Sequence, residues 1–206
     1  MSKKYLTEAH ITNKREFVEN LYNKWSTTYD KEITENYYAT PDRVALILKK
    51  LIVNKKIKIL DYGCGTGLSG AAISKAGFDN VNGVDPSKKM LEQAKKKRVY
   101  RSIIKLDLDT PTPIKLGDYS VITAVGVMGP GAAPINLFDE IMSLLDPGGI
   151  FIFSFNDTAL MIPEYLVKLN GYLSTNRARL LFKEYGPHLP GIHLKCMIYV
   201  IKKNEF

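Results

Sequence analysis

Residues 59–67 read Ile-Leu-Asp-Tyr-Gly-Cys-Gly-Thr-Gly, an apolar run ending in closely spaced glycines. Where a parallel strand turns sharply into a helix, glycines adopt the turn without steric cost and let backbone N–H groups approach a ligand. The spacing admits two patterns. Gly65-Thr66-Gly67-Leu68-Ser69-Gly70 satisfies G-x-G-x-x-G, the dinucleotide fingerprint. Read from Asp61, the same stretch is D-x-G-x-G-x-G, with an acid directly ahead of the glycines. A carboxylate there repels a pyrophosphate and suits a ligand carrying an ammonium group and a sulfonium centre. A mispaired charge in close contact costs enough at intermediate dielectric to select a ligand class. The alternative is a strand-end Asp that caps its own glycine turn. Asp85 is a second anchor. It ends Val81-Asn82-Gly83-Val84-Asp85, about 20 residues past the glycine loop, where an acid accepts both hydroxyls of a ribose. It serves nicotinamide and sulfonium nucleosides equally, and ahead of Pro86-Ser87 it also reads as a helix N-cap.

Chemistry of this kind needs elements to position it. Residues 12–30 carry Phe17, Leu21, Tyr22 and Trp25 at helical spacing. Thr34–Thr40 is aromatic and irregular, and Pro41–Leu51 reads as a helix with proline in its first turn. After Lys56 the pattern alternates. Ile57–Leu60, Asn80–Val84, Ile103–Leu106, Tyr119–Val125 and Ile150–Phe155 are the expected strands. Leu68–Ala76, Ser87–Lys97 and Ile135–Leu145 are the expected helices between them. This alternation predicts an α/β fold with a parallel sheet covered on both faces. A helix near Ala159–Leu169 follows, then two β-rich stretches, Leu180–Tyr185 and His193–Ile201, suited to an antiparallel hairpin.

The 206 residues suggest one domain with a modest extension. No apolar run approaches the roughly 18 residues of a membrane span, and the start lacks the apolar stretch of a signal peptide. Cys64 and Cys196 match no metal-ligand spacing, so no metal is expected and a cytoplasmic setting is the default. The formal charge of +8 can attract phosphates or nucleic acid. Its densest clusters, Lys88–Lys89 and Lys95–Arg98, share an expected helix with Met90, Leu91 and Ala94 and read first as a solvated face.

With these motifs in order, the chain resembles the class I S-adenosylmethionine-dependent methyltransferases over nearly its whole length. Ile59–Gly67 resembles the family's first motif, and Asp85 in Gly-Val-Asp-Pro-Ser-Lys-Lys-Met-Leu resembles its ribose acid. Leu106-Asp107-Leu108 is similar to the third-strand end that brackets adenine. Leu144-Leu145-Asp146-Pro147-Gly148-Gly149 is similar to the turn before the family's fifth strand. The resemblance implies a Rossmann-like sandwich with a mostly parallel seven-stranded sheet and an antiparallel C-terminal hairpin strand. It implies S-adenosylmethionine as cofactor and S-adenosylhomocysteine as product. Cofactor contacts are expected from Asp61, Gly63, Cys64, Gly65 and Gly67 in the loop. Further contacts are expected from Asp85, Pro86 and Met90, from Asp107 and Leu108, and from Val125. A narrower likeness is to the Williams–Beuren-region methyltransferase-like proteins, through Trp25-Ser26-Thr27-Thr28-Tyr29-Asp30, Tyr38-Ala39-Thr40-Pro41 and Lys97-Arg98-Val99-Tyr100. By that likeness Trp25, Tyr29 and Tyr38 line the cofactor mouth, and residues 1–40 form a helical, lid-like segment of a single 1–206 domain. Helix core is the other reading for Trp25 and Tyr29. The chain departs from the subgroup at Val125–Pro134, which holds no titratable group.

Methyl transfer from a sulfonium is a direct displacement that rests on alignment. A base is needed only for a protonated acceptor, and the candidates are His188, His193 and Tyr38, with hairpin or surface roles as the alternative for the histidines. Ser154, Asn156 and Asp157 follow the fifth strand and are candidate substrate contacts. A small-molecule acceptor leads. A nucleic-acid or protein acceptor is the second reading, although the fourth strand lacks both the Asn/Asp-Pro-Pro-aromatic and the Pro-Cys motif. A non-catalytic cofactor-binding protein is the third.

Overall fold

The computed structural model describes residues 15–205, with side chains from Glu19 onward. The first 14 residues of the lid-like segment therefore lie outside the described residues. Helices α1 (Arg15–Trp25), α2 (Tyr29–Glu35) and α3 (Thr40–Leu51) precede β1 (Ile59–Tyr62), α4 (Leu68–Lys75), β2 (Val81–Asp85), α5 (Lys88–Lys97) and β3 (Ser102–Lys105). Then come β4 (Val121–Ala124), α6 (Leu137–Leu144), β5 (Ile150–Asn156), α7 (Asp157–Leu160), α8 (Pro163–Ser174), β6 (Ala178–Leu189) and β7 (Leu194–Lys203).

The strands form one seven-stranded sheet in the order β3-β2-β1-β4-β5-β7-β6. β1 pairs in parallel with both β2 and β4, β3 and β5 extend the parallel part, and β7 runs antiparallel to β5 and β6. Strands buried on both faces read as continuous apolar runs, which is why β1 and β4 are buried at every position. On one face, Val44, Leu48 and Ile73 of α3 and α4 pack against Val81, Val121, Ile152 and Val200. On the other, Phe138 of α6 meets Phe151 and Phe153 of β5 edge-on, with ring centroids 5.5 and 5.3 Å apart. The connection reverses direction between β1 and β4, and such a switch point opens a crevice at the strands' carboxyl ends.

The expected elements are present with shifted ends. β1 begins two residues later than its apolar run, because residues 54–57 make a turn in which Ile57 N–H donates to Asn54 O at 3.3 Å; Asp61 and Tyr62 thereby fall inside the strand. The helix expected near 159–169 is two helices. Pro163 has no N–H and holds Ile162 extended, at φ −99° and ψ 111°, so the chain breaks there. The helical stretch of 12–30 likewise divides at Ser26–Thr28, and the stretch read as irregular after Thr34 is helical as far as Glu35. No helix among the described residues is long and apolar enough to cross a membrane.

Candidate functional site

The loop after β1 is built from left-handed glycines, with φ +71° at Gly63, +52° at Gly65 and +89° at Gly67. Its backbone is tied to the next strand, since Gly63 N–H and Cys64 N–H both donate to Val84 O, at 2.8 and 3.0 Å. Asp85 then joins loop to helix. One carboxylate oxygen accepts from Gly65 N–H at 2.9 Å and the other from Ser87 N–H at 2.8 Å. Ser87, not Asp85, caps α5, its Oγ accepting from Met90 N–H at 3.1 Å. Burial pushes the Asp85 carboxyl up to about 6, against the two backbone N–H groups that favour its charged form and with the nearby Asp61 charge adding to the rise.

Asp85 sits in the wall of a cavity of about 540 Å³ at the carboxyl ends of the strands, a size proper to a cofactor or small-ligand site. Gly63, Cys64 and Gly65 line it, as do Pro86, Met90 and Val125. Leu108 lines it with Leu106, and Tyr29 and Tyr38 close it from the N-terminal side together with Tyr22, whose helical spacing alone gives no sign of a place at the cavity. Burial raises all three phenols, Tyr22 to about 12 and Tyr29 and Tyr38 well above the usual range, so the rings are neutral.

Four expected contacts lie elsewhere. Asp61 is fully buried behind the loop, where it accepts from Ser69 Oγ at 2.6 Å, Tyr100 OH at 2.7 Å and Thr123 Oγ1 at 3.0 Å. Three hydroxyls from α4, the approach to β3 and β4 thus use its oxygens, and it braces the loop. Its carboxyl is raised by burial despite those hydrogen bonds. Gly67 faces away from the cavity, toward Ala94 and Tyr100. Asp107 is exposed and accepts from Asp109 N–H at 3.0 Å, closing its own turn. Trp25 is buried against Tyr29, ring centroids 4.7 Å apart, and lines a smaller cavity of about 60 Å³ instead of the main one.

His188 and His193 separate. His188 ends β6 and is buried, with Nδ1 2.7 Å from Thr40 Oγ1 and its ring edge-on to Tyr38 at 5.2 Å. It lines the smaller cavity with Ser154 and Asn156. His193 adopts φ +58° at the hairpin end and lines neither cavity. Asp157 is held by Tyr185 OH at 2.7 Å and Lys195 N–H at 2.8 Å, so it braces the hairpin.

Two groupings escape a linear reading. Tyr62 OH donates to Glu140 Oε1 at 2.6 Å across the mouth of the sheet, and both line the main cavity. Asp30, in the first turn of α2, accepts from Thr66 Oγ1 and from Lys97 Nζ, each at 2.5 Å, while Lys97 also donates to Thr66 O at 2.8 Å. This triad fastens the helix that carries Tyr29 to the glycine loop. A partly exposed ion pair adds only about 0–1 kcal/mol to global stability. Asp30→Ala is therefore expected to leave the melting temperature nearly unchanged and to speed ligand release from the cavity. Stopped-flow dissociation of a bound nucleoside is the check, and an unaltered off-rate would show that α2 needs no such fastening.

A family model described as a methyltransferase domain matches residues 30–193. Methyltransferase-like protein 27 of Homo sapiens is 31% identical over 132 residues, 63% of this chain and 54% of its own length. A trans-aconitate 2-methyltransferase of Rhizobium leguminosarum is 31% identical over 105 residues, 50% of this chain and 40% of its own. The chain thus spans about half the length, or less, of these relatives. Among solved structures, a magnesium protoporphyrin IX methyltransferase from Synechocystis with bound S-adenosylmethionine has a TM-score of 0.63 at 17% identity, covering 97% of this chain and 90% of that one. A geranyl diphosphate C-methyltransferase from Streptomyces coelicolor has a TM-score of 0.62 at 14% identity, covering 85% and 84%. These likenesses show a shared fold, and the matched model extends from α2 past β6. By that match and by its sheet order, this chain belongs to the methyltransferase-domain family, of the class I S-adenosylmethionine-dependent type.

Proposed function

We propose that the chain transfers the methyl group of S-adenosylmethionine to a small-molecule acceptor by direct displacement. The observation that supports this most is the buried Asp85 carboxylate in the cavity wall, oriented by Gly65 N–H and Ser87 N–H. When bound, the cofactor supplies a methyl group already attached to an excellent leaving group. The chain's own task is to hold and align. Asp85 has lone pairs left for two ribose hydroxyls, as a carboxylate offers about four acceptor sites. Leu106 and Leu108 offer apolar walls to the base, and the left-handed Gly65 leaves its Cβ position open to the cavity. The neutral rings of Tyr29 and Tyr38 suit a sulfonium, at about 0.5–2 kcal/mol per cation–π contact. The helices before residue 40 act as a lid that excludes water.

Calorimetric titration with S-adenosylmethionine, S-adenosylhomocysteine and NAD is the test. The first two are expected to bind and NAD to give no heat; the reverse pattern would remove the proposal.

A pH dependence follows from Asp85. Its carboxyl is raised to about 6, so the folded chain holds this proton more tightly than the unfolded chain does. As pH falls through that value the group loses charge. Affinity for S-adenosylhomocysteine is expected to drop about tenfold between about pH 8 and pH 5. Over the same range the buried-charge penalty is relieved, so this group's contribution to fold stability moves the opposite way. In Asp85→Asn the affinity profile should be flat; an equal slope in both proteins would assign the titration to another group.

A nucleic-acid acceptor is favoured only by the exposed Lys88, Lys89, Lys95 and Lys96 of α5. RNA or DNA binding that weakens steeply with salt is its signature.

A further inference from the structure

The proposed cofactor uses one half of the main cavity, over β1, β2 and β3. The other half lies over β4 and β5, walled by residues 126–134, α6 and the junction of α7 with α8. Of the seven backbone N–H groups in residues 126–134, four are spent on the protein. Gly129 N–H donates to Ala133 O at 3.1 Å, Ala132 N–H to Gly129 O at 3.1 Å and Ala133 N–H to Val127 O at 2.8 Å. Gly126 N–H donates to Ser154 Oγ at 2.9 Å, and Pro130 and Pro134 have no N–H to offer. Val127, Pro130 and Ala132 of the loop line the cavity with apolar side chains, and the facing wall adds Ile162 and Tyr165. The charged groups on this half are acids, Glu140 beside Tyr62 and Glu164 at the start of α8. In a chain of net charge +8, the charged side chains lining the whole cavity among the described residues are Glu19, Asp85, Glu140 and Glu164.

We infer that the acceptor half takes an uncharged, predominantly apolar small molecule and turns away carboxylates and phosphates. This names the substrate class of the site and rests on the methyltransferase reading above. An apolar acceptor gains the transfer of its surface from water against the loop's carbon wall. An anion loses its hydration, finds four of the loop's seven N–H groups already paired, and meets two carboxylates.

The experiment uses the full chain saturated with S-adenosylhomocysteine and titrated with N-phenyl-1-naphthylamine, an uncharged dye that brightens when buried. Citrate serves as the anionic competitor. One saturable site is expected, insensitive to millimolar citrate at constant ionic strength. Ala132→Asp and Ile162→Asp should each weaken the dye by at least about tenfold and shift S-adenosylhomocysteine affinity by less than about twofold. Glu164→Lys, an exposed position, should make citrate an effective competitor. Displacement of the dye by citrate from the unaltered chain would overturn the inference. So would a dye that binds only without S-adenosylhomocysteine, or one unaffected by both Asp substitutions. Failure of S-adenosylhomocysteine itself to bind is a separate result, which overturns the methyltransferase reading.

Discussion

Asp85→Ala is expected to weaken binding of S-adenosylmethionine by well over tenfold while the chain stays folded. Hydrogen bonds to a charged partner contribute about 1.5–3 kcal/mol each, and the carboxylate is proposed to accept from two ribose hydroxyls. Losing both would weaken binding by a hundredfold or more at about 1.4 kcal/mol per decade. The fold should respond little, because two effects offset. Alanine strands Gly65 N–H and Ser87 N–H, which the carboxylate now satisfies at 2.9 and 2.8 Å. It also removes a buried charge whose cost shows in a carboxyl raised to about 6. Calorimetry beside a denaturant curve separates affinity from stability. A folded variant that binds as tightly as the parent would end the ribose assignment.

Gly65→Val is expected to abolish cofactor binding altogether. A Cβ built on Gly65 meets nothing within 4 Å, so the new side chain enters the cavity where the cofactor's place is proposed. The residue also has φ +52°, in the left-handed region where a β-branched residue costs about 1–3 kcal/mol. The variant should therefore fold with a lowered melting temperature and give no heat with S-adenosylhomocysteine. Gly70 makes the useful contrast. A Cβ there would come within 2.2 Å of the Tyr100 ring, whose hydroxyl donates to Asp61. Gly70→Ala should disturb the buried brace and lower stability first. Binding retained in folded Gly65→Val would move the cofactor off this loop.

The alternation of apolar runs with amphipathic stretches was enough to place the parallel sheet, because period and length are local properties. The glycine spacing and Asp85 were legible for the same reason. Left-handed turns demand glycine, and a strand-end acid lies at the edge where ligands bind. Proline at 163 shows the limit of a purely periodic reading. The hydrophobic pattern runs through it, yet the ring breaks the helix in two.

What the sequence could not determine is the direction in which polar side chains spend their hydrogen bonds. Asp61 has the spacing of a ligand contact, but folding surrounds it with Ser69, Tyr100 and Thr123, residues from three separate segments. A buried carboxylate takes the donors nearest to it, and those donors are neighbours only in three dimensions. Trp25 and Tyr29 share a helical spacing signal, yet packing turns one inward and the other to the cavity. The same holds for the pairing of Tyr62 with Glu140 and the fastening of Asp30 to Thr66 and Lys97. The sequence determined the sheet, the glycine turn and the strand-end position of Asp85 through local conformational rules. The tertiary structure decided which polar groups face a ligand and which face each other, because that choice depends on contacts between distant segments.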